Sequence, residues 1–259
     1  MTLNFNEYTE GNSPLHRLDT RIKIIGAFAA IIGVVILSHW QMPLLMLFTC
    51  FGLVVYSHAP LKIYLKRLLY PTYIIIFVAI IQPFTYGSTA IATVPWLSLP
   101  IYQEGITFGI LVFTRALSAV AVLNLLILVT PMEKVLDSLR WFKIPAVITD
   151  TMMLMFRYIS LVSEESARIR KAQESRLGYS KGLSLFKKLG NFGTMAGMLL
   201  ARSFDRALKV GDAMISRGYT GASNLFSYST TKLPRKDSIV GGLTILAITG
   251  LVLADMFII

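Results

Sequence analysis

The chain has 259 residues, 54% of them hydrophobic and only 15% charged, with a mean hydropathy of +0.63. That is too apolar for a soluble domain and points to an integral membrane protein. The net charge of +11 does not indicate nucleic acid: 18 Lys/Arg against 8 Asp/Glu between Pro131 and Lys236 put +10 of it in one segment, which reads as a cytoplasmic region facing anionic lipid or an acidic partner.

The opening Met1–Thr20 is polar, with Glu7 and Glu10, and lacks the basic-then-apolar order of a cleavable signal. The first apolar run, Ile24–Trp40, is about long enough to span a bilayer. Leu44–Tyr56 is shorter but extendable on both sides. After Lys62, Lys66 and Arg67 comes Leu69–Tyr86, with Pro71 and Pro83 near its ends. The link Gly87–Gln103 is polar and free of Lys and Arg. Ile106–Thr130 is the longest run, and Ile239–Ile259 closes the chain. The expected fold is an all-α integral membrane protein of about five transmembrane helices. Three parts follow: 1–130 with four spans, a cytoplasmic segment 131–236, and a last span over 237–259. Positive charge in the short links sets the N-terminus inside and the C-terminus outside.

Ala146–Val162 is apolar enough for a further span, and Met195–Leu200 could seed another. If both crossed, the link Ser163–Lys188 would lie outside with seven basic residues, against the charge rule. Asp150, Arg157, Arg202 and Asp205 would also be expensive at bilayer depth. Both segments are therefore expected to be long helices that do not span. Met155, Ile159, Val162, Ser166, Ile169 and Gln173 recur at steps of three or four and lead to Arg176. Phe192, Met195, Leu199, Phe204, Leu208 and Ile215 form a looser stripe leading to Arg217. Such stripes mark one-sided helices, expected to pack by their apolar faces on each other or under the spans. Thr220–Lys236, rich in Ser, Thr and Lys, reads as a loop.

Each of these helices ends in nearly the same phrase. Ala172-Gln173-Glu174-Ser175-Arg176-Leu177-Gly178-Tyr179 returns, one residue shorter and 41 positions later, as Ala213-Met214-Ile215-Ser216-Arg217-Gly218-Tyr219. An arginine in a last turn followed by glycine can be mere capping, since the charge complements the helix dipole and glycine ends the helix. Repetition of the surrounding residues favours function. A guanidinium presents a rigid fork of donors suited to carbonyls or carboxylates in a protein groove, and two copies suggest a partner present twice.

Other chemistry is sparse. His16, His39 and His58 lie in separate links without ligand spacing, and a single cysteine, Cys50, excludes an intramolecular disulfide. No phosphate-binding GxxxxGK[ST] loop and no GxSxG elbow occur, so the chain is not expected to hydrolyse ATP or act as an enzyme. Arg115, in the middle of the fourth run, either hydrogen-bonds a neighbouring helix or contacts a membrane partner. A self-sufficient secondary carrier would show polar residues clustered in broken spans and often an inverted repeat; Arg115 and Asn124 are the only candidates.

Ser175-Arg176-Leu177 and Ser216-Arg217-Gly218 resemble the two Ala-Arg-Gly-like motifs of the transmembrane T component of energy-coupling factor (ECF) transporters, a branch of ABC importers. The first departs, with Leu177 at the Gly position and Gly178 one step later. Asn12-Ser13-Pro14-Leu15-His16-Arg17-Leu18-Asp19-x-Arg21-x-Lys23 resembles the cobalt/nickel (CbiQ-like) branch, with Thr20 where a proline is usual, and the Arg157-Tyr158 and Glu164-Glu165 stretch fits too. The resemblance implies a non-catalytic subunit of the prokaryotic plasma membrane. Its partners would be two ABC ATPase subunits, each receiving one arginine motif, and a separate substrate-binding membrane subunit. ATP and Mg²⁺ would be used by the ATPases, and no cofactor by this chain. The cargo would be cobalt or nickel, with a vitamin as the alternative.

Overall fold

A computed structural model describes residues 13–57, 60–87, 90–93, 100–180, 182–220 and 235–257. The chain divides into two compact units, one built on Asn6–Val135 with Thr231–Ile259, the other on Leu136–Thr230. His58 and nearly all of the Thr220–Lys236 link lie outside the described residues.

The first unit contains α1 (Pro14–Arg17), α2 (Thr20–Ile36), α3 (Gln41–Tyr56), α4 (Leu61–Thr85), α5 (Gln103–Val129) and α9 (Arg235–Phe257). The polar link before α5 carries a short antiparallel ribbon, β1 (Ala90–Thr93) with β2 (Pro100–Tyr102), a small addition to a helical fold. α5 is the central helix and packs on α2, α3 and α4, while α9 lies along α2. Gly105 and Gly109 form a small-xxx-small pair on α5 that lets it approach α4 closely. A Cβ on Gly105 would sit 2.6 Å from the Tyr86 carbonyl oxygen, and one on Gly109 2.8 Å from that of Ala79. The core between these helices includes Ala27, Ala30, Cys50, Val54, Tyr64, Ala121 and Leu128. The outer faces keep large apolar residues such as Ile74, Phe77 and Leu246 exposed, as a lipid-facing surface requires.

α4 begins eight residues before the apolar run read from sequence and passes through Pro71 and Pro83. Its first turns therefore carry Lys62, Lys66 and Arg67.

The break between α2 and α3 interrupts the helical backbone of this unit at Leu37–Trp40. Backbone polar groups at membrane depth must find partners within the protein. Arg115 of α5 donates through Nε to the Leu37 carbonyl at 2.7 Å and through Nη2 to the same oxygen. Asp255 of α9 accepts from the backbone amides of Ser38 at 2.6 Å and His39 at 3.2 Å, and its Oδ1 lies 3.0 Å from His39 Nδ1. At the other end of α9, Asp237 accepts from the backbone amide of Asp19 at 2.9 Å. Two acids thus fasten α9 to both ends of α2.

The second unit holds most of α6 (Met132–Trp141), then α7 (Ala146–Ser175) and α8 (Leu185–Ser216). α7 and α8 run antiparallel, as successive links Gln173–Asn191, Glu165–Arg202 and Asp150–Tyr219 show. Among the described residues, four helices are long and apolar enough to cross a membrane: α4, α5, α7 and Asp237–Asp255 of α9. α2 and α3, at 17 and 16 residues, are shorter and rely on their flanks for the remaining depth. For α7, which the sequence reading kept out of the bilayer, one objection weakens. Asp150 is 3% exposed but paired with Arg140, and a paired carboxylate is less costly to bury. The basic link after α7 still opposes a crossing.

The expected apolar packing of α7 on α8 is largely absent within this unit. Ile169 and Met195 are buried, but Met155, Ile159, Phe192, Phe204, Leu208 and Ile215 stay exposed. The facing positions are polar. Glu165 bridges Arg202 at 2.8 Å and Arg206 at 3.2 Å, and Gln173 Nε2 donates to the Asn191 carbonyl at 2.8 Å.

Candidate functional site

The two repeated phrases end their helices in one geometry. At the first, the Leu177 amide donates to the Glu174 carbonyl at 2.9 Å and the Gly178 amide to the Gln173 carbonyl at 2.8 Å. At the second, the Gly218 amide donates to Ile215 at 2.9 Å and the Tyr219 amide to Met214 at 3.0 Å. Both are Schellman endings, in which a left-handed residue after the cap turns the chain and satisfies the last carbonyls. Arg176 and Arg217 are the caps, with φ of −92° and −91°. The left-handed position is Leu177 at φ 61° in one and Gly218 at φ 81° in the other. Leu177 therefore stands where Gly218 stands, and the sequence departure leaves the backbone unchanged.

The serines match as well. Ser175 Oγ donates to the Lys171 carbonyl at 3.0 Å and Ser216 Oγ to the Asp212 carbonyl at 2.8 Å. Each hydroxyl is thus spent on its own helix four residues back. What each ending leaves free is the arginine side chain: Arg176 and Arg217 are exposed, their backbone amides close the last turn on Gln173 and Met214, and their guanidinium groups form no hydrogen bond or ion pair among the described residues. A cap arginine has no need of a side-chain bond to help its helix, yet these two keep every guanidinium donor available to a partner. Leu177 and Ile215 add exposed apolar surface beside them.

The endings are anchored differently. Gly178 is required by close approach: a Cβ there would lie 2.8 Å from the Gln173 carbonyl oxygen and 3.0 Å from Asn191 Nδ2. That nitrogen donates to the Gly178 carbonyl at 2.7 Å, and Tyr179 Oη donates to Gln173 Oε1 at 3.0 Å. The Arg170 guanidinium lies 5.7 Å from the centre of the Tyr179 ring, within cation–π range.

The second ending reaches farther along the chain. Tyr219 Oη donates to Asp150 Oδ2 at 3.1 Å. Asp150 Oδ1 is held by Arg140 of α6, whose Nε donates to Thr149 Oγ1 at 3.0 Å. Partial burial, then the Asp150 carboxylate, raises the Tyr219 hydroxyl above its ordinary value, so it remains a donor at neutral pH. The hairpin places Arg176 and Arg217 at opposite ends, roughly 40 Å apart if α7 is taken at 1.5 Å per residue.

Arg115 is not part of this site. It closes the α2 end, which accounts for a charge at that depth without a partner. Asn191, Arg140 and Asp150 were missed as supports of the site. Asn191 carried a signal as an amide next to glycine early in an apolar helix, and Asp150 as a charge inside an apolar run. No group of three or more His, Cys, Asp or Glu able to hold a metal occurs among the described residues.

A sequence model described as CbiQ, cobalt transport protein, matches residues 11–228. An uncharacterised protein of Methanocaldococcus jannaschii is 32% identical over 222 residues, covering 83% of this chain and 80% of that one. Two proteins named energy-coupling factor transporter transmembrane protein EcfT are each 30% identical. The one from Ruminiclostridium cellulolyticum aligns over 98% of this chain and 97% of its own length, and that from Bacillus selenitireducens over 90% of each.

Proposed function

The chain belongs to the CbiQ family of energy-coupling factor transmembrane components, and on that premise we propose that Arg176 and Arg217 are its docking points for two ATPase subunits. It is a multi-pass membrane transport subunit. The observation that carries the finer reading is the pair of superimposable helix ends, each presenting an exposed arginine whose guanidinium has no internal partner. In this reading the triplets Ser175-Arg176-Leu177 and Ser216-Arg217-Gly218 each enter a groove on one ATPase. Those subunits bind ATP and Mg²⁺, and this chain binds no cofactor. Closure of the ATPases moves the α7–α8 hairpin, and that motion reorients a separate substrate-binding membrane subunit. The N-terminus and the hairpin face the cytoplasm and the C-terminus lies outside, following the positive charge.

The cargo is proposed to be cobalt or nickel ion, supported by the description of the matching family. A vitamin is the other cargo to assay, because the EcfT names specify none.

The test is charge reversal. Arg217→Glu and Arg176→Glu should each weaken retention of ATPase chains, by about 2 kcal/mol if the arginine is a buried anchor, and the double variant should abolish ATP-driven uptake while inserting normally. Unimpaired uptake of cobalt, nickel and vitamin substrates by the double variant, relative to the parent, removes the coupling role.

A further inference from the structure

One face of α4 is used neither by its packing nor by the coupling role. Toward α5 the helix turns Tyr64, whose Oη donates to the Ala121 carbonyl, and Ala79 and Gln82, whose backbone meets Gly109 and Gly105. On the opposite side Lys62, Lys66, Tyr70, Tyr73 and Phe77 follow at steps of four, four, three and four, within about 80° of one another around the axis. All five are exposed, Tyr70 at 64% and Tyr73 and Phe77 at 66%.

The charges at the start of this stripe are unpaired. Lys62, Lys66 and the neighbouring Arg67 form no ion pair among the described residues, and the sequence holds no Asp or Glu between Asp19 and Glu104. Neither phenol hydroxyl has a hydrogen-bond partner among the described residues. An orientation signal needs only positive charge near the end of a span. It does not require two cations, two phenols and a phenyl ring to succeed one another along one line. Lys62 and Phe77 lie roughly 22 Å apart at 1.5 Å per residue, about the depth of one leaflet with its headgroups. The order of chemistry along that line is the order along a phospholipid: charged headgroup, ester region, acyl chain.

We propose that this stripe binds an anionic phospholipid. Lys62 and Lys66 take the phosphate and headgroup, Tyr70 and Tyr73 donate to the ester oxygens, and Phe77 lies against an acyl chain. Arg67 adds positive charge at the edge. The site is contained in the membrane unit and does not depend on how Arg176 and Arg217 are used.

The experiment is native mass spectrometry of the full chain, purified in detergent with any subunits that stay bound to it, and mixed with phosphatidylglycerol or phosphatidylcholine. The parent should hold phosphatidylglycerol in preference to phosphatidylcholine. Lys62→Gln combined with Lys66→Gln should weaken phosphatidylglycerol binding about thirtyfold, about 1 kcal/mol for each lysine. Lys62→Arg combined with Lys66→Arg keeps both charges and should keep the lipid. Lys187→Gln combined with Lys188→Gln, the same change in net charge placed on α8, should leave binding as in the parent. A parent without headgroup preference overturns the inference whatever the variants do. Undiminished binding in the glutamine variant of α4 overturns it too, as does an equal loss in the α8 variant. Loss of a copurifying membrane subunit with the lipid retained assigns the face to a protein partner and equally overturns it.

Discussion

Arg115 on α5 and Asp255 on α9 close the two sides of a single break: the guanidinium takes the Leu37 carbonyl, and the carboxylate takes the amides of Ser38 and His39. Each charge sits in a largely apolar segment, and each is explained by backbone that a membrane cannot solvate. Arg115→Leu leaves a carbonyl without its donor and should destabilise the protein by about 1–3 kcal/mol. Asp255→Leu should do the same for the amides. The combined variant should lose less than the sum, because either change alone already opens the break. Thermal unfolding of the four proteins in detergent gives the comparison, and strict additivity speaks against a shared break.

Leu177 occupies a left-handed position that suits glycine. Leu177→Gly should stabilise the end of α7 by about 1 kcal/mol, and Gly218→Leu should weaken the end of α8 by about as much. Amide hydrogen exchange in the two last turns reads both effects. Changes of the same sign in the two variants contradict the matched geometry.

Gly178→Ala brings a methyl group against Asn191 Nδ2 and the Gln173 carbonyl. It should destabilise the α7–α8 turn by about 1–3 kcal/mol, the range for forced repacking. Asn191→Ala should remove part of the same stability, about 1 kcal/mol for a lost hydrogen bond. Limited proteolysis between Gly178 and Leu185 should speed up in both variants. Unchanged cleavage in Gly178→Ala places the turn's stability elsewhere.

His16 carries the pH dependence of the N-terminal corner. Its Nδ1 lies 2.7 Å from Ser13 Oγ, and Lys23 Nζ donates to its carbonyl at 3.3 Å. Burial first, then the charges of Lys23 and Lys134, lower its pKa below 6.5. A histidine lowered in the folded state takes up its proton more readily when unfolded. Its contribution is therefore complete above pH 6.5 and is lost as pH falls through that value toward the folded pKa. Melting temperature should drop between pH 7.5 and 5.5 more steeply in the parent than in His16→Gln. Parallel pH curves count against this role.

Long apolar runs made the spanning helices readable, because lipid demands continuous hydrophobicity over a fixed length. The paired arginine phrases were readable for another reason: a Schellman ending is local, and its residues are adjacent in sequence. Supports drawn from far along the chain were not. Nothing near Tyr219 announces Asp150, and nothing near Leu37 announces Arg115, since both pairings depend on how helices align. The amphipathic stripes of α7 and α8 were visible, and of the two partners expected for them, each other or the spans, the first is met within this unit by little more than Ile169 and Met195. Periodicity marks which residues share a face, and Glu165, Gln173 and Asn191 decide what that face meets.

The antiparallel hairpin also works as a measuring rod. Its two arginines, roughly 40 Å apart, are too distant to share a groove on one small domain. Two touching globular domains of about 200 residues have centres separated by about that distance. A pair of equal partners side by side could each present the same groove to one tip. Lengthening α7 by a single residue would turn Arg176 by about 100° around the helix while moving it only about 1.5 Å, so the rod's phase is set more tightly than its length.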